Sequence, residues 1–176
     1  MPSIKILKVM IKLEPFKPSD FNLLISWIDS KELLIQIAGP YFSYPLTATQ
    51  LQNYLDDKNS IPFNVVETSS DKVIGHAEII LLDNNVCKLD KVLIGDKANR
   101  GKGFGQQTIS RLLTFTFENL KAEKVELYVY NWNTDAIKTY ERAGFVINHD
   151  KQMQTNVDGT IWKALKMTIE REKWCN

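Results

Sequence analysis

Cysteine is scarce in this 176-residue chain, which has only Cys87 and Cys175. Two thiols do not make a disulfide framework, and with two histidines no Cys/His spacing of a zinc site is present. No apolar run approaches the ~20 residues that span a bilayer. The first ten residues carry Lys5 and Lys8 and no apolar h-region, so no secretory leader is expected. Cys175 stands second from the end, which is not a prenylation position. An excess of charge of one sign is missing too. Lys and Arg number 22 against 21 Asp and Glu, and the net +1 is spread along the chain, so neither nucleic acid nor a membrane is expected as a partner. These absences leave a cytoplasmic protein with reduced thiols and no metal as the expectation.

What is present is ordinary for a soluble domain, with 44% hydrophobic and 24% charged residues. The length is enough for one sizeable core, so a single domain over residues 1–176 is expected. Glycine occurs eight times, yet three of the eight stand at 101, 103 and 105. The run Asn99-Arg100-Gly101-Lys102-Gly103-Phe104-Gly105 follows the apolar Val92-Leu93-Ile94 and opens a helical pattern. Ile109, Leu112, Leu113, Phe117 and Leu120 then recur on one helix face. Glycines let the backbone take positive φ and come close to a ligand. The first N–H groups of the helix have no intrahelical partner and carry the positive end of its dipole. With Arg100 and Lys102 beside them, such a loop suits a phosphate or diphosphate. It is not a G-x-G-x-x-G dinucleotide fingerprint, because Gln106 stands where the third glycine belongs, and it is not a P-loop. By itself it also fits a glycine-rich turn that binds nothing.

Residues 9–16 read as a first strand, alternating Val9, Ile11 and Leu13 and stopping at Pro15. Ser19 or Asp20 caps a helix with Phe21, Leu24, Ile25 and Ile28 on one face. Residues 31–44 are expected to be irregular, broken by Gly39-Pro40 and Tyr44-Pro45. Thr47 and Gln50 form a capping box, with Leu46 and Leu51 at the staple positions of a short helix. Strands follow at 63–67, 73–82 and 86–94, separated by Thr68-Ser69-Ser70-Asp71 and Asp83-Asn84-Asn85. Gly75 marks a bulge or a close approach. Beyond the glycine loop and its helix, Val125, Leu127 and Val129 alternate as a strand. A helix at 133–142 and strands at 145–147 and 162–169 complete the order β-α-α-β-β-β-α-β-α-β-β.

A second phrase lies about thirty residues past the loop: Asn133-Thr134-Asp135-Ala136-Ile137-Lys138-Thr139-Tyr140-Glu141-Arg142-Ala143-Gly144-Phe145. Asn133 and Tyr140 are seven apart, about two helical turns, so they share a face with the small Ala136 between them. Asn133 is also a good N-cap. Together the two segments resemble the GNAT superfamily of acyl-CoA-dependent N-acyltransferases. Arg100-Gly101-Lys102-Gly103-Phe104-Gly105 matches its R/Q-x-x-G-x-G/A loop, and the second phrase matches its N-x-x-A-x-x-x-Y-x-x-x-G-F helix. The phrases Ala38-Gly39-Pro40 and Tyr44-Pro45-Leu46-Thr47 look most like the RimJ/RimL-like branch.

The resemblance implies an α/β (α+β) fold around a central mixed, mostly antiparallel sheet. It also implies acetyl transfer from acetyl-CoA to a primary amine by direct attack in a ternary complex. Donor contacts would come from Arg100, Gly101, Lys102, Gly103, Phe104, Gly105 and Gln106 on the phosphates. The main chain of Val92, Leu93 and Ile94, with Asn131, Asn133 and Ala136, would border the pantetheine arm. Tyr140 would serve the departing sulfur. For the base, Asp90 and Glu78 are the candidates, and Asp90 has the same parity as Val92 and Ile94, hence the same face of the sheet. Glu32 could reach in from the overhanging helices, and water could relay the proton instead. His76 and His149 read equally well as ordinary strand residues or as bases. Trp27, Glu32, Phe42 and Tyr44 would line the acceptor pocket. RimJ/RimL-like relatives favour a peptide N-terminal amine. A polyamine or aminoglycoside acceptor, or a non-catalytic acyl-CoA-binding module, are the alternatives. A monomer or homodimer is expected.

Overall fold

A computed structural model describes residues 10–174, so Val9 and Cys175 lie outside the described residues. The chain runs β1 (Ile11–Pro15), α1 (Phe21–Trp27), α2 (Lys31–Ala38), α3 (Ala48–Leu55), β2 (Ser60–Glu67), β3 (Lys72–Leu81) and β4 (Val86–Ile94). It continues through α4 (Phe104–Thr114), β5 (Lys124–Tyr130), α5 (Thr134–Arg142), β6 (Val146–Val157), β7 (Thr160–Glu170) and α6 (Arg171–Trp174). The seven strands form one sheet in the order β1-β2-β3-β4-β5-β7-β6. Its pairings are antiparallel except β4–β5, which is parallel, so the expected mixed, mostly antiparallel sheet is present.

That parallel pairing is short. Val86, Cys87 and Lys88 meet Lys124, Val125 and Glu126, and the ladder ends there. The remainder of β4 has no strand partner on its β5 side, and a gap opens in the middle of the sheet. One apolar cluster joins the sheet to α4 through Phe104, Ile109, Leu112 and Leu113, with Ala136, Ile137 and Tyr140 of α5 packed against it. A second joins Phe21, Leu24, Leu34, Leu51 and Tyr54 of α1 to α3 with Leu93 of β4. Each fully buried leucine-sized side chain contributes about 1.5–3 kcal/mol. The gap is thus flanked by two packed layers.

Residues 31–38 are helical, which corrects the irregular reading of 31–44. Ser30 Oγ accepts a hydrogen bond from Leu33 N–H at 3.2 Å, and Leu34, Ile35 and Ala38 are buried. The helix stops at Gly39 with φ +56°. Three helices, rather than two, therefore separate β1 from β2. Asp20 does not cap α1 with its side chain. Its carboxylate accepts from Lys17 N–H and Asn64 Nδ2, each at 2.8 Å. Thr47 caps α3 as expected. Gly75 marks both a bulge and a close approach: β3 carries an extra residue between the Val65–Gly75 and Val66–Val73 pairs, and a Cβ on Gly75 would come within 2.4 Å of the Leu93 carbonyl oxygen. β6 runs far past the expected 145–147, β7 only slightly past the expected 162–169, and α6 is an addition to the expected elements.

Candidate active site

The gap's geometry starts from one residue. Glu78 pairs with Asp90 and His76 with Leu93, so two steps on β3 oppose three on β4. The extra residue is a bulge at Lys91, whose φ is +49°. It breaks the alternation of β4. Leu89 joins the α4 cluster before it, and Val92 and Ile94 pack there after it. Leu93 joins the α1–α3 cluster. Asp90, next to Leu89 and paired with Glu78, therefore does not share a face with Val92 and Ile94, which corrects the parity argument.

Beyond β4, Asp96 closes a turn by accepting from Ala98 N–H at 2.8 Å. Arg100 Nε donates to the Ile94 carbonyl at 3.3 Å, tying the loop to the strand end. Gly101 and Gly103 have φ of +73° and +86°, the left-handed region that glycine reaches freely. A Cβ on Gly101 or Gly105 would meet nothing within 4 Å, and one on Gly103 would meet only Met10 Cε at 3.7 Å. The loop is therefore an open cradle. Gly103 is the N-cap of α4, no side chain caps the helix, and Phe104 anchors it in the core. The cradle, the end of β4, α2 and α5 enclose a cleft of about 790 Å³. Its wall includes Gln106, whose buried Oε1 has no hydrogen-bond partner among the described residues. An uncapped helix start, an open glycine bend and an orphan acceptor suit a ligand with a diphosphate and an amide-bearing arm.

Asn133 caps α5, accepting from Ala136 N–H at 3.4 Å. Two turns on, the half-buried Tyr140 lines the cleft beside Ala136. Burial, with a smaller effect from the Asp90 charge, pushes the Tyr140 phenol up to about 12. Asn133, Ala136 and Tyr140 also line an inner slot of about 70 Å³ between β4 and β5. Asp90, Lys91, Tyr128 and Tyr130 form its other walls. Asp90 is 24% exposed, and its Oδ2 lies 3.2 Å from Lys88 Nζ and 3.4 Å from Lys91 Nζ. Asp90 and Tyr140 are thus brought together at the junction of slot and cleft.

Several expected residues stand elsewhere. Glu78 is 2% exposed, paired with Lys91 Nζ at 2.6 Å and accepting from Ser60 Oγ, and it lines neither cavity. Burial raises its carboxyl above the usual range. Lys102 and Asn131 are exposed and outside the cleft wall. Trp27 covers Gly95, where a Cβ would fall 2.0 Å from its ring. Phe42 packs edge-on against Tyr41 and Tyr54, Tyr44 donates to the Asp29 carbonyl, and Glu32 is exposed. None of these four lines the cleft or the slot. Leu33, Gln36 and Ile37 of α2 take that place in the cleft wall. Ser30 ahead of an apolar run was their signal. His76 is buried against the Tyr54 hydroxyl at 3.0 Å, and burial together with the Lys91 charge pushes it down to about 3, so it is neutral. His149 is exposed on β6.

The profile of the Acetyltransferase (GNAT) family matches residues 31–145. Spermidine N(1)-acetyltransferase of Vibrio cholerae is 27% identical over 137 residues, covering 78% of this chain and 79% of that protein. The SPbeta prophage-derived uncharacterized N-acetyltransferase YokL of Bacillus subtilis is 27% identical over 167 residues, 93% of this chain and 92% of that one. The crystal structure of spermidine N-acetyltransferase from Vibrio cholerae in complex with CoA and spermine superposes with a TM-score of 0.80 at 21% identity, over 95% of this chain and 99% of that chain. Nothing in these matches is specific to the RimJ/RimL-like branch.

Proposed function

Because this chain belongs to the acetyltransferase (GNAT) family, and is therefore an N-acetyltransferase with acetyl-CoA as donor, we propose that its acceptor is a small unbranched primary amine of the polyamine class. The observation that carries the proposal is the inner slot. About 70 Å³ holds an ammonium on a few methylenes, and the slot offers it the rings of Tyr128 and Tyr130 and one carboxylate, Asp90, which it would share with Lys88 and Lys91. A peptide α-amine would bring a branched carbon and a carbonyl into the same narrow space. Outside the slot, Tyr130 stacks on the half-exposed Trp132 at 5.8 Å, and Trp162 packs edge-on against both. That aromatic track suits a chain of alternating methylenes and ammoniums. The relatives named for spermidine accord with it. One acetyltransferase domain, a cytoplasmic setting and a monomer or homodimer belong to the same proposal.

When bound, the donor supplies an acyl group activated as a thioester. The N–H groups of residues 101–105 and the start of α4 would hold its phosphates, far from the reacting atoms, so that binding there would serve orientation. On the side of β4 left without a strand partner, the main chain of Val92, Leu93 and Ile94 would border its arm and could offer an N–H to the carbonyl oxygen, a type of contact that stabilises developing charge by about 3 kcal/mol. An alkylammonium near pKa ~10.4 must first lose one proton to solvent, because only the neutral amine has a lone pair to attack with. As the C–N bond forms, the amine N–H becomes strongly acidic and Asp90 accepts that second proton through water, while the C–S bond breaks and the sulfur departs as the thiolate. Tyr140 lies about 3.5 units above an ordinary thiol, so its hydroxyl donates a hydrogen bond to the departing sulfur rather than surrendering the proton.

Release of thiol from acetyl-CoA, followed with a disulfide reagent, tests the acceptor. Spermidine and spermine should exceed an N-terminal peptide and an aminoglycoside by at least ten-fold in kcat/KM. A peptide preferred by the same margin would restore the RimJ/RimL-like reading and overturn this one.

A further inference from the structure

The most unusual group in the molecule is the Lys91 ammonium, and neither the family motifs nor the chemistry above uses it. Its side chain is 2% exposed. Nζ lies 2.6 Å from Glu78 Oε2 and 3.4 Å from Asp90 Oδ2. It stands 4.1 Å from the centre of the Tyr41 ring, 5.1 Å from Tyr54 and 5.7 Å from Phe42. A left-handed lysine at a bulge and an ammonium caged by three rings and two carboxylates make a costly arrangement. Replacing a buried ion pair with apolar residues of similar volume is often neutral or stabilising, so stability does not account for the cage.

The arrangement does fix one thing. Asp90 Oδ1 accepts from the Lys91 backbone N–H at 3.1 Å while its Oδ2 faces the Lys91 ammonium. Lys88 holds Oδ2 from the outer side. The other titratable groups around the ammonium are Glu78 and the neutral His76 from β3, Tyr54 from α3 and Tyr41 from the segment after α2. Ser60 of β2 donates to the second oxygen of Glu78, so that carboxylate is held as well. The bulge thus delivers a charge that the cage holds still, directly against the carboxylate that lines the slot with Tyr140.

We propose that Lys91 is a positioning residue for Asp90, with Glu78 and the rings of Tyr41, Phe42 and Tyr54 forming the clamp that holds its ammonium. The inference rests on the assignment of Asp90 as the proton acceptor. Lys91→Ala opens the clamp, and trimethylammonium chloride is the probe. That cation carries an N–H for Glu78 but no hydrogen whose replacement gives a stable amide, so it is not itself an acceptor. In Lys91→Ala, kcat for the preferred amine should fall at least ten-fold, with the Kd for acetyl-CoA within two-fold of wild type. Trimethylammonium should restore most of the kcat saturably and raise the Tm of the variant but not of wild type. The double variant Lys91→Met/Glu78→Gln fills the clamp without charge. It should keep a Tm within a few degrees of wild type, lose kcat as Lys91→Ala does, and gain nothing from trimethylammonium. Wild-type kcat in the double variant would overturn the inference. So would a kcat loss in Lys91→Ala that trimethylammonium leaves unchanged while it raises Tm. Asp90→Asn separates the two layers: unchanged kcat there removes Asp90 from the reaction, whereas a lowered kcat there with an active double variant removes Lys91 alone.

Discussion

A Gly103→Val chain is expected to fold and to lose acetyl-CoA affinity by more than a hundred-fold. Gly103 has φ +86°, which a β-branched residue adopts only under strain, on the order of 1–2 kcal/mol. Inside the protein the substitution meets little, since its Cβ would stand 3.7 Å from Met10 Cε and from nothing else within 4 Å. The branched carbons would instead enter the open side of the cradle, over the N–H groups that start α4. A hundred-fold loss corresponds to about 2.7 kcal/mol, the size of one or two charge-assisted hydrogen bonds. Calorimetric titration of acetyl-CoA measures the loss, and a thermal melt shows that the fold survives. A folded variant with wild-type affinity would mean that the diphosphate sits elsewhere.

Tyr140→Phe is expected to lower kcat by about a hundred-fold, the loss of one hydrogen bond of about 1.5–3 kcal/mol to the charge developing on the departing sulfur, with the Kd for acetyl-CoA within two- to three-fold. The phenol is held in its protonated form by burial, first, and by the Asp90 charge, second. A raised value means that the donor form persists as pH rises and is lost only near 12. The wild-type kcat profile should therefore show no alkaline fall from this residue below about pH 10. Steady-state kinetics with the preferred amine give both numbers. An unaltered kcat in the phenylalanine variant would take Tyr140 out of the reaction.

The two motifs were legible because each needs particular residues at fixed spacing for a backbone reason. Glycines at 101 and 103 take positive φ, and Asn133 both caps α5 and sets the face on which Ala136 and Tyr140 stand. The acceptor side was less legible. Strict alternation along residues 86–94 put Asp90 with Val92 and Ile94, but a single bulge at Lys91 reverses that parity, and a lysine in a strand carries no sign of a left-handed backbone. Residues 31–38 read as irregular because Gly39-Pro40 overshadowed the Ser30 cap, so the wall built from Leu33, Gln36 and Ile37 was missed. The aromatics chosen in their stead serve packing: Trp27 lies on Gly95, and Phe42 packs edge-on against Tyr41 and Tyr54. β6 is mostly exposed and polar, so it shows no alternation by which its full length could be read.

A donor lying in the cleft would set its phosphates on the glycine bend and its sulfur beside Tyr140, and a crystal structure of the wild-type chain soaked with coenzyme A would show both. Diphosphate density is expected on the N–H groups of residues 101–105, with the thiol within hydrogen-bonding distance of the Tyr140 hydroxyl. Diphosphate bound away from the bend, or a Tyr140 hydroxyl turned from the sulfur, would contradict this placement.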